Sequence, residues 1–261
     1  MTPAGDFDYE KGGSGYALRR RTDPRIAALI REALGPVRSV INVGAGAGSY
    51  EPGDLEVTAI EPSSSMRSQR PENLSVALDA VAENLPFAEN SFDAAMATIT
   101  IHQWSDSDQG LHELRRVSRG PVVVLTFDGD ALDDFWLARY APEMIEAERR
   151  RYPKIDHVRL VLGGTSSVST VPIPHDCVDG FTEAFYGRPE AFLDPEVRRS
   201  QSAWSFVGPD AEARFTRALA ADLDSGRWDR RHGHLRSQPL YDGAVRLIIG
   251  HPVVGTTGAR R

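Results

Sequence analysis

The amino-acid sequence predicts an α/β fold in which helices sandwich a mostly parallel sheet, and three observations carry that prediction. A β-branched run, SVINV at residues 39–43, stops abruptly in the glycine-rich stretch GAGAG. An apolar run of this length without alternation fits a central strand covered on both faces. A second strand-like stretch, residues 55–60, ends at Glu61-Pro62, and strand-like and helix-like segments then alternate as far as residue 127. Parallel strands joined by crossover helices produce that alternation.

Size and composition bound the rest. With 261 residues, 41% of them hydrophobic, the chain can bury one α/β core and carry an appended region. The formal net charge of −7 argues against a nucleic-acid partner, which needs a basic face, apart from local patches at Arg19-Arg20-Arg21 and Arg149-Arg150-Arg151. Cys177 is the only cysteine, so a reducing compartment is the default expectation. No apolar run reaches about 18 residues, and the opening MTPAGDFDYEKGG carries no signal-peptide core. A cytoplasmic protein with no membrane partner is therefore expected.

Residues 1–22 are polar and glycine-rich, with Tyr9 and Tyr16 around a Gly12-Gly13-Ser14-Gly15 hinge, and read either as a disordered leader or as a lid. Asp23-Pro24 supplies an N-cap and a proline at the first helical position, and Ile26, Leu29, Ile30 and Leu34 stripe one face before Gly35. In the glycine turn, Gly44, Ala45 and Gly46 keep side chains away, so a ligand can lie on the backbone. Amides of a following helical turn would suit a nucleotide-like or anionic group. The spacing is Gly-x-Gly-x-Gly, whereas a dinucleotide turn reads Gly-x-Gly-x-x-Gly; Ser49 takes the last glycine's place and Pro52 cuts the helix short. Glu61 stands 17 residues beyond Gly44, near the ~20-residue offset at which a carboxylate meets ribose hydroxyls. The alternative for Glu61 is a solvated acid at a strand end.

Ser63 caps a short helix over residues 63–69, and residues 74–78 read as a third strand. Residues 92–101 form the fourth, delivering His102, Gln103 and Trp104 at its carboxyl end, where an open parallel sheet has its ligand crevice. His102 is the first candidate for a general base; the alternative is a histidine that shapes the pocket. Asp106 or Ser107 caps the next helix, striped by Leu111, Leu114 and Val117, and residues 121–127 make the fifth strand. The acidic run 128–134, followed by Phe135, Trp136, Leu137 and Tyr140, suits a roof over a substrate pocket. Residues 166–173 alternate toward strand and lead to Pro174-His175-Asp176-Cys177. No oxyanion-hole context supports a Cys–His nucleophile pair there, so His175 is read as a substrate contact or a second base. Aromatics over residues 180–238 form the core of an added subdomain or line the acceptor pocket, and residues 241–249 return as a last strand at the sheet edge. No convergent ligand spacing suggests a metal site, His232 and His234 included.

Four stretches within residues 39–127, VINVGAGAGSYE, AIEPSSSM, AENLPFAENSFDAAMATITIHQWSD and HELRRVSRGPVVVLTF, resemble in order and spacing the motifs of class I S-adenosylmethionine (SAM)-dependent methyltransferases. The likeness is to the small-molecule, type 11-like branch that includes the quinone-biosynthesis enzymes. It implies a Rossmann-like seven-stranded, mostly parallel sheet with a helical lid. It further implies an arm and first helix (1–38), a SAM-binding core (39–127), and cap insertions with the last strands of the same sheet (128–261). SAM is the implied cofactor and a small molecule the implied methyl acceptor. By the same resemblance the cofactor site takes in Asn42, Gly44, Ala45, Gly46, Glu61, Pro62, Met66, Val81, Ala82 and Thr98. Tyr16 and Arg20 belong to a lid over the methionine end, Arg20 offering its planar fork to the SAM carboxylate. Met66 packs either on adenine or simply in the core.

Two positions depart from the family pattern. Asn42 stands where an acid usually does, keeping hydrogen bonds but no charge. Val81 stands where an aspartate accepts the adenine amino group, which leaves that contact to the backbone of Val81 and Ala82. These departures motivate one rival reading, a non-enzymatic SAM-fold binding protein. The other rival, an NAD(P)-dependent oxidoreductase, is opposed by the missing glycine and the short helix. Oligomeric state leaves no mark in the sequence, and a homodimer is compatible with it.

Overall fold

A computed structural model describes residues 20–253, so Tyr16 lies outside the described residues. Helix α1 (Pro24–Leu34) begins where Asp23 accepts the Arg25 amide at 3.0 Å and Pro24 presets the first turn. There follow β1 (Ser39–Val43), β2 (Glu56–Ile60), the short α2 (Ser64–Arg67), β3 (Ala94–Thr98), α3 (Ser107–Val117) and β4 (Val122–Phe127). Asp106 caps α3 by accepting from the Gln109 amide. Beyond β4 come two 3-10 turns (Gly129–Asp134 and Trp136–Arg139), α4 (Pro142–Arg151), α5 (Ile155–Leu162), β5 (Thr165–Thr170) and β6 (Ile173–Pro174). Three further 3-10 turns (Thr182–Phe185, Pro189–Leu193 and Ser202–Phe206) surround α6 (Pro195–Arg199). The long α7 (Pro209–Asp224), α8 (Arg227–His232), β7 (Leu240–Tyr241) and β8 (Val245–His251) complete the described chain.

The main sheet has six strands in the order β2-β1-β3-β4-β8-β5. The first four are mutually parallel, while β8 runs antiparallel to both β4 and β5. Two expectations change here. The third strand expected over 74–78 shrinks to one parallel bridge between Leu78 and Ile60, so the sheet has six strands rather than seven. Val76 and Leu78 are 88% and 45% exposed, and without a covering layer nothing rewards a longer ladder on that side. The last strand is not an edge. β8 lies between β4 and β5, buried at most positions, whereas the polar β5 sequence TSSVST takes the solvated edge.

Alternation along the strands sorts side chains onto two faces. Val40, Met96, Val123 and Leu125 pack on the face covered by Ile26, Ile30 and Leu34 of α1, continuous with the cap. Ile41, Ala95, Ala97 and Val124 pack on the other, against Leu111, Leu114 and Val117 of α3 and Val158 and Leu162 of α5. Each fully buried aliphatic side chain contributes roughly 1.5–3 kcal/mol. The cap has its own aromatic centre, with Trp136 edge-on to both Phe192 and Trp228 at 5.6 Å and donating from Nε1 to the Tyr186 carbonyl at 2.9 Å. Most aromatics of the 180–238 stretch are thus cap core, although Phe181 reaches the cavity described below. Among the described residues no helix is long and apolar enough to cross a membrane.

Candidate functional site

The carboxyl end of β1 turns sharply at Gly44, with φ +72°, where a Cβ would run into the Thr100 side chain. Only glycine fits both the left-handed backbone and that contact. No helix follows. The amides of Gly44 and Ala45 both donate to the Ile60 carbonyl at 2.9 Å, and the Gly46 amide donates to Glu61 Oε2 at 2.8 Å. The expectation that amides after the turn point outward at an anion is therefore not met. This turn offers surface and shape instead of a phosphate cradle, which further weakens the dinucleotide reading.

Glu61 is 8% exposed, and its second oxygen accepts the Ser63 amide at 2.9 Å. Burial pushes its pKa up, opposed by these hydrogen bonds and by Arg67 and Arg70. Lone pairs remain on both oxygens for hydroxyl donors. Pro62 is half-buried beside it, and Met66, 4% exposed, brings its Cε to 3.4 Å from where a Gly46 Cβ would stand. Val81 is exposed and Ala82 buried, while Thr98 sits half-buried at the end of β3. Asp79 is drawn to Arg67 Nη2 at 3.1 Å.

Asn42 is fully buried. Its Nδ2 donates to Glu51 Oε1 at 3.0 Å, and its Oδ1 has no hydrogen-bond partner. Glu51 in turn accepts from Arg70 Nη2 with both oxygens, at 3.0 and 2.8 Å, and Arg70 Nη1 donates to the Gly46 carbonyl at 3.3 Å. The charge absent at position 42 is thus present one side chain away, neutralised by Arg70. Sequence reasoning missed this pair; the glutamate that closes VGAGAGSYE was the available signal.

A small pocket with an open mouth lies at the carboxyl ends of β3 and β4 beneath the cap. Ile99, Phe127, Leu132, Tyr152 and Phe181 form its apolar walls, and Arg20, His102, Glu148, Thr182, Gln201 and Ser202 its polar ones. Ile99 holds φ +51°, a strained conformation for a β-branched residue, where the chain bends out of the sheet toward His102. The His102 ring packs on Tyr152 at 4.6 Å between centroids. Its burial, then the charges of Arg151 and Arg20, hold its pKa well below 6.5, so the imidazole is neutral at pH 7.

Arg20 donates from Nε to the buried Asp179 at 2.7 Å, and Tyr50 donates its hydroxyl to the same carboxylate at 2.8 Å. Arg20 thus comes to the cavity wall clamped onto the loop after β6. Glu148, Thr182, Gln201 and Ser202 had no sequence signal, because they lie on separate cap elements without a shared period.

His175 is not brought to this cavity. Its ring sits edge-on to Tyr186 at 5.7 Å, its amide donates to the Pro239 carbonyl, and Gly187 leaves just enough room for it. Beside it Cys177 is buried with its thiol pKa pushed up to about 12, the state of a packed rather than a nucleophilic cysteine.

Comparison with known proteins bears on the family and the fold. A family model described as a methyltransferase domain matches residues 41–124. A solved structure from Anabaena variabilis, described as a candidate methyltransferase of an antibiotic biosynthesis pathway, is 32% identical, with 88% of this chain and 98% of that one covered and a TM-score of 0.82. The demethylmenaquinone methyltransferase of Renibacterium salmoninarum is 33% identical over 119 residues, and the chain spans 49% of its length. A Thermotoga maritima SAM-dependent methyltransferase, suggested to be a histamine N-methyltransferase, shares the fold at a TM-score of 0.54 with 16% identity.

Proposed function

Because the chain belongs to the class I SAM-dependent methyltransferases, we propose that it transfers a methyl group to a small-molecule acceptor held in the cavity beside His102. One juxtaposition carries this reading: a glycine turn with a buried, unpartnered Asn42 Oδ1 ends a strand that adjoins those ending at an open pocket of mixed polarity. The residues fit the cofactor. Asn42 Oδ1 would accept from the methionine ammonium, the remaining lone pairs of Glu61 from ribose hydroxyls, and Met66 and Ala82 would offer apolar contact to adenine. When bound, SAM supplies a methyl group already activated by a sulfonium.

The work left to the protein is alignment and the exclusion of water, which positioning can turn into several kcal/mol of barrier. The apolar walls shape the acceptor and the cap shuts out solvent. His102, neutral in this setting, would take the proton of a hydroxyl or acidic carbon as the acceptor atom bonds to the methyl group, becoming imidazolium. An acidic chain with a single buried cysteine goes with a cytoplasmic metabolite enzyme rather than a nucleic-acid partner. Calorimetric titration of the purified protein with S-adenosylhomocysteine and, separately, with NADH tests the proposal. Micromolar binding of the first alone is expected; binding of NADH alone, or of neither, overturns it.

A further inference from the structure

Gln201 carries an observation that the cofactor half does not use. It lies on the cavity wall, is 4% exposed, and its Nε2 has no hydrogen-bond partner. The rest of the amide is pinned, because Thr182, 5% exposed, donates its hydroxyl to Gln201 Oε1 at 2.9 Å. A buried amide donor left unmade is costly, and in native proteins such groups nearly always find a partner in protein, ordered water or a bound ligand. With Oε1 occupied, the amide's free hydrogen-bonding capacity is as a donor. Ser202 next in sequence already accepts from Arg151 Nη1 at 2.9 Å, and Arg20 lies on the same wall. The same pocket is lined by the carboxylate Glu148 and by Phe127, Phe181 and Tyr152.

We propose that Gln201 recognises the acceptor by donating from Nε2 to a carbonyl oxygen, so that the substrate is a compact, largely apolar, carbonyl-bearing metabolite. The inference rests on the methyltransferase reading for the reaction but not for the binding contact. A hydroxyl in the same place could accept from Nε2 as well, but it would also need an acceptor for its own proton, which the carbonyl does not. A hydrocarbon would leave Nε2 unmade. Discrimination therefore favours the carbonyl over its isosteres, since a site built for one hydrogen bond rejects the analogue lacking it.

The test uses the full chain and three isosteric probes, acetophenone, 1-phenylethanol and ethylbenzene, titrated with and without saturating S-adenosylhomocysteine. Wild type is expected to bind the ketone at least roughly tenfold more tightly than ethylbenzene, and Gln201→Leu to erase that ratio. Gln201→Glu should shift preference toward the alcohol. Thr182→Val, which removes the pin and keeps the volume, should narrow the ratio even if Gln201→Leu fails to fold. Equal binding of ketone and hydrocarbon by wild type, binding of neither, or an unchanged ratio in the folded variants overturns the proposal. S-adenosylhomocysteine affinity is read in the same titrations. Its absence with the ketone preference intact would refute the methyltransferase reading alone.

Discussion

Glu183 offers a sharp test of how the cap is held to the sheet. It is fully buried, and both carboxylate oxygens accept the Ala244 amide, at 3.0 and 2.8 Å, tying the Thr182–Phe185 turn to the start of β8. Burial raises its pKa to about 7 from 4.5, with the Ala244 hydrogen bond and Arg246 opposing and Glu148 adding to the rise. The folded state therefore binds the proton more tightly than the unfolded chain. Stability must fall as pH rises from about 4.5 to 7 and level off above that. The two pKa values correspond to about 3 kcal/mol over the whole window and about 2.5 kcal/mol between pH 5 and pH 8. Glu183→Gln removes the titration. Urea unfolding of both proteins at pH 5, 6, 7 and 8 should show the variant gaining on wild type by about that amount as pH rises. Groups common to both proteins, such as Glu61, cancel in the difference. A stability difference that does not change with pH would refute the argument from burial.

Gly46→Val should abolish S-adenosylhomocysteine binding while the protein still melts cooperatively, because φ is +53° and Met66 Cε already lies 3.4 Å from the added Cβ; unchanged affinity in calorimetry would count against the glycine turn as the cofactor surface. Arg70→Met leaves Glu51 buried without its cation, their side chains being 5% and 1% exposed, and should cost roughly 3–5 kcal/mol in urea unfolding. Adding Glu51→Gln to that variant should restore much of the loss. Cys177 should resist iodoacetamide at pH 8 until the protein is unfolded, as its thiol pKa near 12 requires; rapid alkylation of the native protein, followed by mass spectrometry, would contradict that.

What was legible in the sequence is what short stretches of chain decide. Asp23-Pro24 and Asp106 mark their helices because a cap is settled within a few residues, and the unbroken runs of β1 and β4 announce strands covered on both faces. Contacts made across the fold were not legible. The turn's amides are spent on Ile60 and Glu61 only once β2 lies beside β1, and Glu51 meets Arg70 only after the intervening strand and α2 have formed. β8 could be recognised as a strand but not as an inner one, since antiparallel insertion between β4 and β5 is a matter of topology; the polar TSSVST was the one clue to the true edge. His175 pointed toward a crevice by chain order alone, and the cap turned it onto Tyr186.

His102 links those two kinds of information, and its titration decides what it does. Chain order put it at the end of β3, but its chemistry is set by groups the sequence scatters: Tyr152 against its ring, and Arg151 and Arg20 close enough to oppose a proton. Since burial and both cations lower its pKa, the neutral imidazole is the folded form across the neutral range. The unfolded chain binds the proton near 6.5 and the folded one only well below it, so this group costs stability as pH falls through 6.5. A sulfonium in the neighbouring site would depress it further. NMR titration of the imidazole, assigned by difference against His102→Gln, should therefore show no inflection between pH 6 and 8.5, with or without S-adenosylhomocysteine. A midpoint at or above 6.5 would mean that an anionic partner outweighs both arginines, and His102 would then be a resting base rather than one called on only as the acceptor bonds to the methyl group.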